Sequence, residues 1–226
     1  MPRRPARDLV SHLPAVPAET TRLRDRLWFA GYYAIAFLLL GYVVSGRPPS
    51  IVDVAARPFA GHGTQLALLL TDAGLFPVYA TISVVVLIIG VVERRWLRAA
   101  LVSVATLLCA WQVSDLCKVL YQRPRPTYWV GIHERSWSYP SGHTTLVIAF
   151  YGFWTAVAWS SDLPVSAKRW IRIAFALWAL AIGWSRLALG AHYVTDLVGG
   201  YLLGAAFASA AMIVYRLLGS TDDTPA

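Results

Sequence analysis

Uncharged apolar runs of membrane length recur along this chain, and they restrict its fold more than any single motif does. Residues 29–45, 75–92, 99–114, 144–161 and 197–215 each pass without one Asp, Glu, Lys or Arg. A helix needs about 20 predominantly apolar residues to cross a bilayer. The runs are continuous rather than alternating, which favours helices over the strands of a barrel. With 57% hydrophobic and 14% charged residues, the expectation is an all-α integral membrane bundle.

Breaks between the runs predict six transmembrane helices, near residues 28–45, 75–92, 99–121, 141–160, 170–189 and 193–218. Residues 1–27 read as a basic cytoplasmic arm with Arg3, Arg4, Arg7, Arg22, Arg24 and Arg26, and with a short interfacial helix around Thr20–Leu27. The first apolar run is longer than a signal h-region and lacks a small-residue cleavage site, so it is expected to be an uncleaved anchor. Residues 50–74 mix Asp53, Arg57, His62 and Asp72 with apolar pieces too short to span. That segment is expected at the periplasmic interface or over the bundle mouth. Residues 28–218 form the membrane domain, and 219–226 a polar cytoplasmic tail.

The formal charge of +8 could suggest nucleic acid, but no basic-aromatic recognition module is present. Arginines flanking helices on the cytoplasmic side explain the charge better. Six spans put both termini on one side, with the Glu93–Arg98 and Lys168–Arg172 turns, and that side is expected to be cytoplasmic. Lys118, Arg123, Arg125, Arg135 and Arg186 fall on the disfavoured outer side, where an anionic ligand would account for them. Cys109 and Cys117 are eight apart in one predicted helix, roughly 12 Å along its axis, too far for a disulfide.

Three segments end on that outer side. Lys118 to Pro126 closes the third span, Tyr139-Pro140-Ser141-Gly142-His143 opens the fourth, and Ser185 to Asp196 joins the fifth to the sixth. Ionisable groups at such helix ends are costly, which marks a functional site. Lys118, Arg125 and Arg186 offer cations and N–H donors suited to phosphoryl oxygens. Ser141 reads as a helix N-cap, and Gly142 lets an anion approach the first-turn N–H groups. His192 and Asp196 are four apart, so a helix would stack them on one face. His192, oriented by Asp196, can attack phosphorus while His143 protonates the leaving oxygen. The fixed cations stabilise the transition state, so neither metal nor cofactor is required.

Lys-x6-Arg-Pro, Pro-Ser-Gly-His and Ser-Arg-x5-His-x3-Asp together resemble the tripartite signature of the type 2 phosphatidic acid phosphatase superfamily, with every element and spacing kept from Lys118 to Asp196. The resemblance implies an acid-phosphatase/vanadium-haloperoxidase-like helical core. It also implies metal-independent hydrolysis of a lipid phosphate or diphosphate through a phosphohistidine, at the extracytoplasmic face of the plasma (inner) membrane. In that scheme His192 is the nucleophile, Asp196 its partner and His143 the acid, while Lys118, Arg125, Ser141, Gly142 and Arg186 bind phosphate. The partner is then a lipid entering from the bilayer. Undecaprenyl diphosphate ranks first, followed by phosphatidylglycerophosphate and phosphatidate. A haloperoxidase shares the oxyanion signature but is soluble and larger, and a non-catalytic lipid carrier would have no need of His192 and Asp196.

Other polar residues have plainer expectations. Asp115 should pair with Lys118 within its helix. Arg123 and Arg135 fit either a second phosphate or headgroup contact, or solvated loop charge. His62 and His133 lack metal-ligand spacing. Trp96, Trp129, Trp137 and Tyr139 resemble interfacial belt aromatics, and Gly199, Gly200 and Gly204 close helix-packing positions.

Overall fold

The computed structural model describes residues 18–128 and 134–220. The first 17 residues, Trp129, His133 and residues 221–226 lie outside the described residues. Among those described, the elements are helical: α1 (Ala18–Val44), α2 (Ile51–Ala55), α3 (Thr64–Ala73), α4 (Phe76–Val92), α5 (Leu97–Tyr121), α6 (Gly142–Trp159), α7 (Val165–Ala188) and α8 (Val194–Ser220). Short 3₁₀ turns occupy Arg57–Phe59 and Arg94–Trp96. No Gly or Pro interrupts residues 18–28, so the helix expected around Thr20–Leu27 is the opening of α1 rather than a separate element.

Among the described residues, four stretches are long and apolar enough to cross a membrane: Arg24–Val44, Arg94–Tyr121, Val165–Ala188 and Val194–Gly219. Helices α3 and α4, joined through Gly74 and Leu75 with a 43° bend, make a fifth if counted as one broken span. Helix α6 falls short of that apolarity for a physical reason. It packs against α5, α7 and α8, and His143, Thr144 and Thr145 in its first turn are buried against protein rather than lipid.

The core follows from that placement. Tyr79, Leu107, Val147, Phe150 and Ile182 pack where α4, α5, α6 and α7 meet. Ala99, Phe153, Val157 and Met212 fill the other half. Small residues bring α6 and α8 together, since a Cβ on Gly204 would stand 2.6 Å from Thr145 O and one on Gly200 2.5 Å from Ser141 O. Tyr139 is not a belt aromatic. It is fully buried, stacked on Phe37 at 5.5 Å, and its hydroxyl donates to Phe37 O at 2.9 Å. Trp137 is 41% exposed, and both cysteines are free.

Two ends of the bundle result. At one, Ser45 Oγ donates to Tyr121 O at 3.0 Å and Ser141 N to Asp196 O at 3.1 Å, which brings the ends of α1, α5, α6 and α8 together. At the other, the Arg98 guanidinium lies 4.6 Å over Tyr215 and Arg216 donates to Ser160 Oγ at 3.1 Å. The first end of α1 and the last of α8 therefore share a side with the turns at Arg94–Trp96 and between α6 and α7.

Candidate active site

Local backbone chemistry aims the three segments at one place. Helix α7 closes in a Schellman turn: Ala191 N donates to Arg186 O at 2.9 Å and Gly190 N to Leu187 O at 2.8 Å. Gly190 takes the left-handed conformation (φ 63°), which an L side chain resists. The chain then reverses, so His192 lies in the turn before α8 rather than on a helix face shared with Asp196. Asp196, in the first turn of α8, accepts from Tyr193 N at 2.8 Å and so ties the turn to the helix start.

His192 is 2% exposed. Its Nδ1 lies 3.5 Å from Asp196 Oδ2 and 3.4 Å from Ser138 Oγ, and Ser138 Oγ donates to Asp196 Oδ2 at 2.5 Å. Its Nε2 lies 3.1 Å from Arg125 Nη1. A guanidinium donates and never accepts, so Nε2 carries the lone pair and the proton sits on Nδ1 toward Asp196. Burial, then the charges of Arg125 and Arg186, hold this imidazole well below the usual histidine range. At neutral pH it is an uncharged base with its free nitrogen turned to the arginines.

Those arginines already hold an anion. Arg125 Nη2 donates to Glu134 Oε2 at 2.6 Å, and Arg186 Nη2 donates to Glu134 Oε1. Burial would raise the Glu134 carboxyl, but the charges of Arg186, Arg125 and Lys118 outweigh it and hold it down to about 2. Arg125 is fixed further by Ala191 O at 2.9 Å and Ser136 O at 2.7 Å, and Arg186 by Thr71 Oγ1 on α3.

The remaining predicted residues surround this clamp. Lys118 pairs with Asp115 at 2.7 Å, as its spacing predicted. A Cβ on Gly142 would stand 3.5 Å from Lys118 Nζ, an ordinary contact distance, which puts the lysine's amine beside the start of α6. Ser141 holds the N-cap backbone position but caps nothing with its side chain. Ser141 Oγ, His143 Nε2 and Arg186 Nε are buried without a hydrogen-bond partner. A Cβ on Gly74 would come within 2.8 Å of the His143 ring, so the break between α3 and α4 makes room for that imidazole.

Arg123 departs from both expectations held for it. It is 2% exposed and donates to Asp53 Oδ2 at 2.9 Å and to Asp196 Oδ1 at 2.5 Å. Arg135 and His62 are exposed. Asp53, Glu134, Ser138, Thr71 and Thr195 escaped sequence reasoning. For Asp53 one signal was legible: Ser50 and Asp53 form a reciprocal capping box on α2. A cavity of about 950 Å³ between α4 and α6 lies toward the other end; its lining is mostly apolar, with Ile82, Val86, Phe150 and Trp154 beside Arg95 and Asp162, and it includes none of the predicted site residues.

Comparisons with known proteins bear on the family and the fold. A sequence model of the PAP2 superfamily matches residues 96–219, more than half of the chain and all three segments. Phosphatidylglycerophosphatase B of Bacillus subtilis (strain 168) is 34% identical over 94 residues, 41% of this chain and 46% of that protein. An undecaprenyl-diphosphatase of Sulfolobus acidocaldarius is 29% identical over 80 residues, 35% of this chain and 34% of that one. The chain thus spans less than half the length of these curated relatives. The crystal structure of a transmembrane PAP2-type phosphatidylglycerolphosphate phosphatase from Bacillus subtilis shares the fold, with a TM-score of 0.67 and 20% identity over 87% of this chain and 96% of that one.

Proposed function

Because the chain belongs to the PAP2 superfamily, we propose that it is a membrane phosphatase that hydrolyses a lipid phosphate or diphosphate through a phosphohistidine. One observation carries this: Arg125 and Arg186 converge on a single carboxylate, and Arg125 also touches the unprotonated nitrogen of His192. A phosphoryl group in place of that carboxylate would put phosphorus beside the nucleophile. Nε2 attacks phosphorus, the bond to the lipid oxygen breaks, and His143 gives that oxygen its proton. Water then attacks the phosphohistidine, returns a proton to His143 and releases inorganic phosphate. Asp196 stabilises the imidazolium formed in between. Lys118, Arg125, Arg186 and the first turn of α6 hold the oxygens, so the charge is met without a metal.

In this proposal six spans, including α6 and the bent α3–α4 pair, put the site at the extracytoplasmic face and both termini in the cytoplasm, because more of the exposed arginines, among them Arg24, Arg94, Arg95, Arg169 and Arg172, lie at the opposite end. The lipid enters from the bilayer with its headgroup at Lys118. Undecaprenyl diphosphate remains the first substrate to test, and phosphatidylglycerophosphate, which names the other relative, the second. The test is phosphate release by purified protein in detergent with EDTA, over a panel of undecaprenyl diphosphate, phosphatidylglycerophosphate and phosphatidate. At least one is hydrolysed, vanadate inhibits, and His192→Ala abolishes turnover. Undiminished release by His192→Ala would overturn the mechanism.

A further inference from the structure

Two buried charges have no place in that mechanism, and they are bonded to each other. Asp53 is 1% exposed on the five-residue helix α2. Its Oδ1 accepts from Thr195 N and Thr195 Oγ1, both at 2.9 Å. Its Oδ2 accepts from Arg123 Nη2 at 2.9 Å, Ser50 Oγ at 2.8 Å and Ser50 N at 3.0 Å. Arg123 turns its other terminal nitrogen to Thr195 Oγ1 at 2.6 Å and to Asp196 Oδ1, and its guanidinium lies 4.5 Å over the Tyr193 ring. Tyr193, Thr195 and Asp196 are three of the four residues that follow His192. The first turn of α8 is thus held from outside it, by Asp53 142 positions earlier in sequence and by Arg123 72 and 73 positions before its two partners.

We propose that Asp53 and Arg123 are positioning residues for the nucleophile, acting through Asp196 and never touching the phosphate. The proposal rests on the phosphatase reading above. With Oδ1 of Asp196 taken by Arg123, only Oδ2 is left for Ser138, Tyr193 N and the Nδ1 side of His192. The rotation of the carboxylate, and with it the direction of Nε2, is therefore set by Arg123. A planar fork is required, because one guanidinium must serve two carboxylates on different elements. Simple fold support would not call for this device, since apolar residues of similar volume fill buried space at least as well. The set also holds two carboxylates to one guanidinium, and the surplus negative charge lies beside the imidazole that becomes cationic when Nε2 bonds to phosphorus.

The test uses the full chain in detergent, dioctanoyl phosphatidate as substrate and inorganic phosphate as competitive inhibitor. Arg123→Gln is expected to lower kcat about 100-fold, the scale of a nucleophile displaced by about 1 Å, and Asp53→Asn about tenfold. KM and the phosphate Ki should stay within about threefold for both. In an Asp196→Asn background, Arg123→Gln should cost less than about threefold more, because residues acting as a unit are not additive. Full multiplicative loss in that background overturns the proposal, as does loss confined to KM and the phosphate Ki, which would make Arg123 a clamp. Should Arg123→Gln fail to fold, wild-type kcat in the isosteric Asp53→Asn overturns it alone. His192→Ala in parallel separates the two claims: turnover surviving there fells the phosphatase reading itself.

Discussion

Both ends of this bundle carry arginines, and the buried ones at the site are used differently from the exposed ones at the other end. At the site end Arg123 and Arg186 are 2% and 3% exposed, and their carboxylate partners come from elements 52 to 73 positions away. At the other end Arg95 has 76% of its side chain in solvent and meets Glu93, two positions away, at 3.9 Å. Breaking a buried pair leaves an uncompensated charge and costs about 3–5 kcal/mol, whereas an exposed pair contributes about 0–1 kcal/mol. Burial and partner distance, more than a count of basic residues, separate a site from a membrane-facing rim.

The largest expected consequence is at the clamp. Arg186→Gln keeps much of the shape and removes the charge, and kcat/KM should fall about 1000-fold, at the upper end for a single oxyanion donor. Steady-state phosphate release measures it. A loss below about tenfold would make Arg186 structural and would dissolve the contrast between the ends.

Next comes the carboxylate that now occupies the clamp. Glu134 takes a donor from each of two guanidinia that a phosphoryl group would need, so substrate must displace it. Glu134→Gln removes the competing charge, and inorganic phosphate should inhibit about tenfold more tightly. A weaker phosphate Ki would instead make Glu134 part of the substrate's own cradle.

The pH profile tests burial at the same end. His192 is held below the 6.5 of a free imidazole by burial and then by Arg125 and Arg186, so it remains a base where an ordinary histidine would be protonated. At one unit below 6.5 an unshifted imidazole would be roughly 10% neutral, while this enzyme should keep more than about half its kcat/KM. The stability sign agrees. The unfolded chain takes up the proton near 6.5 and the folded one only at lower pH, so stability falls as pH drops through that window. Glu134 adds a second loss in the same direction, from about 4.5 toward 2. Thermal unfolding midpoints across pH 4–7 would show it, and an acid limb centred at 6.5 would contradict the burial of His192.

What was legible in the sequence is what local spacing encodes. The apolar runs, the three helix-end segments and the Asp115–Lys118 pair each depend on residues within one element or its immediate end. Asp53 and Glu134 were not legible as site residues, because their partners are 142 and 52 positions away and only the folded chain supplies the distance. Tyr139 reads as a belt aromatic in the sequence because a tyrosine beside proline at a helix end looks the same whether it faces lipid or Phe37. Arg123, two residues before Arg125, shares its neighbour's composition. What separates them is that α5 ends at Tyr121 and Gln122 turns left-handed (φ 45°), after which one guanidinium reaches Asp53 and the other His192.

The smallest expected effect is the control that gives the others meaning. Arg95→Ala removes a side chain that is mostly in solvent, whose ion pair with Glu93 is long and local; its guanidinium also lies 5.6 Å over the Trp96 ring. An exposed cation–π contact contributes about 0.5–1 kcal/mol, so a shift of a few degrees in the unfolding midpoint is the most this change should produce, with kcat/KM within about twofold of wild type. Arg95 also borders the apolar cavity between α4 and α6, on the same α6 that presents His143 at its far end. A fall in kcat/KM beyond about threefold, with the unfolding midpoint unmoved, would mean that α6 transmits the state of one end to the other, and the two ends could no longer be treated as independent.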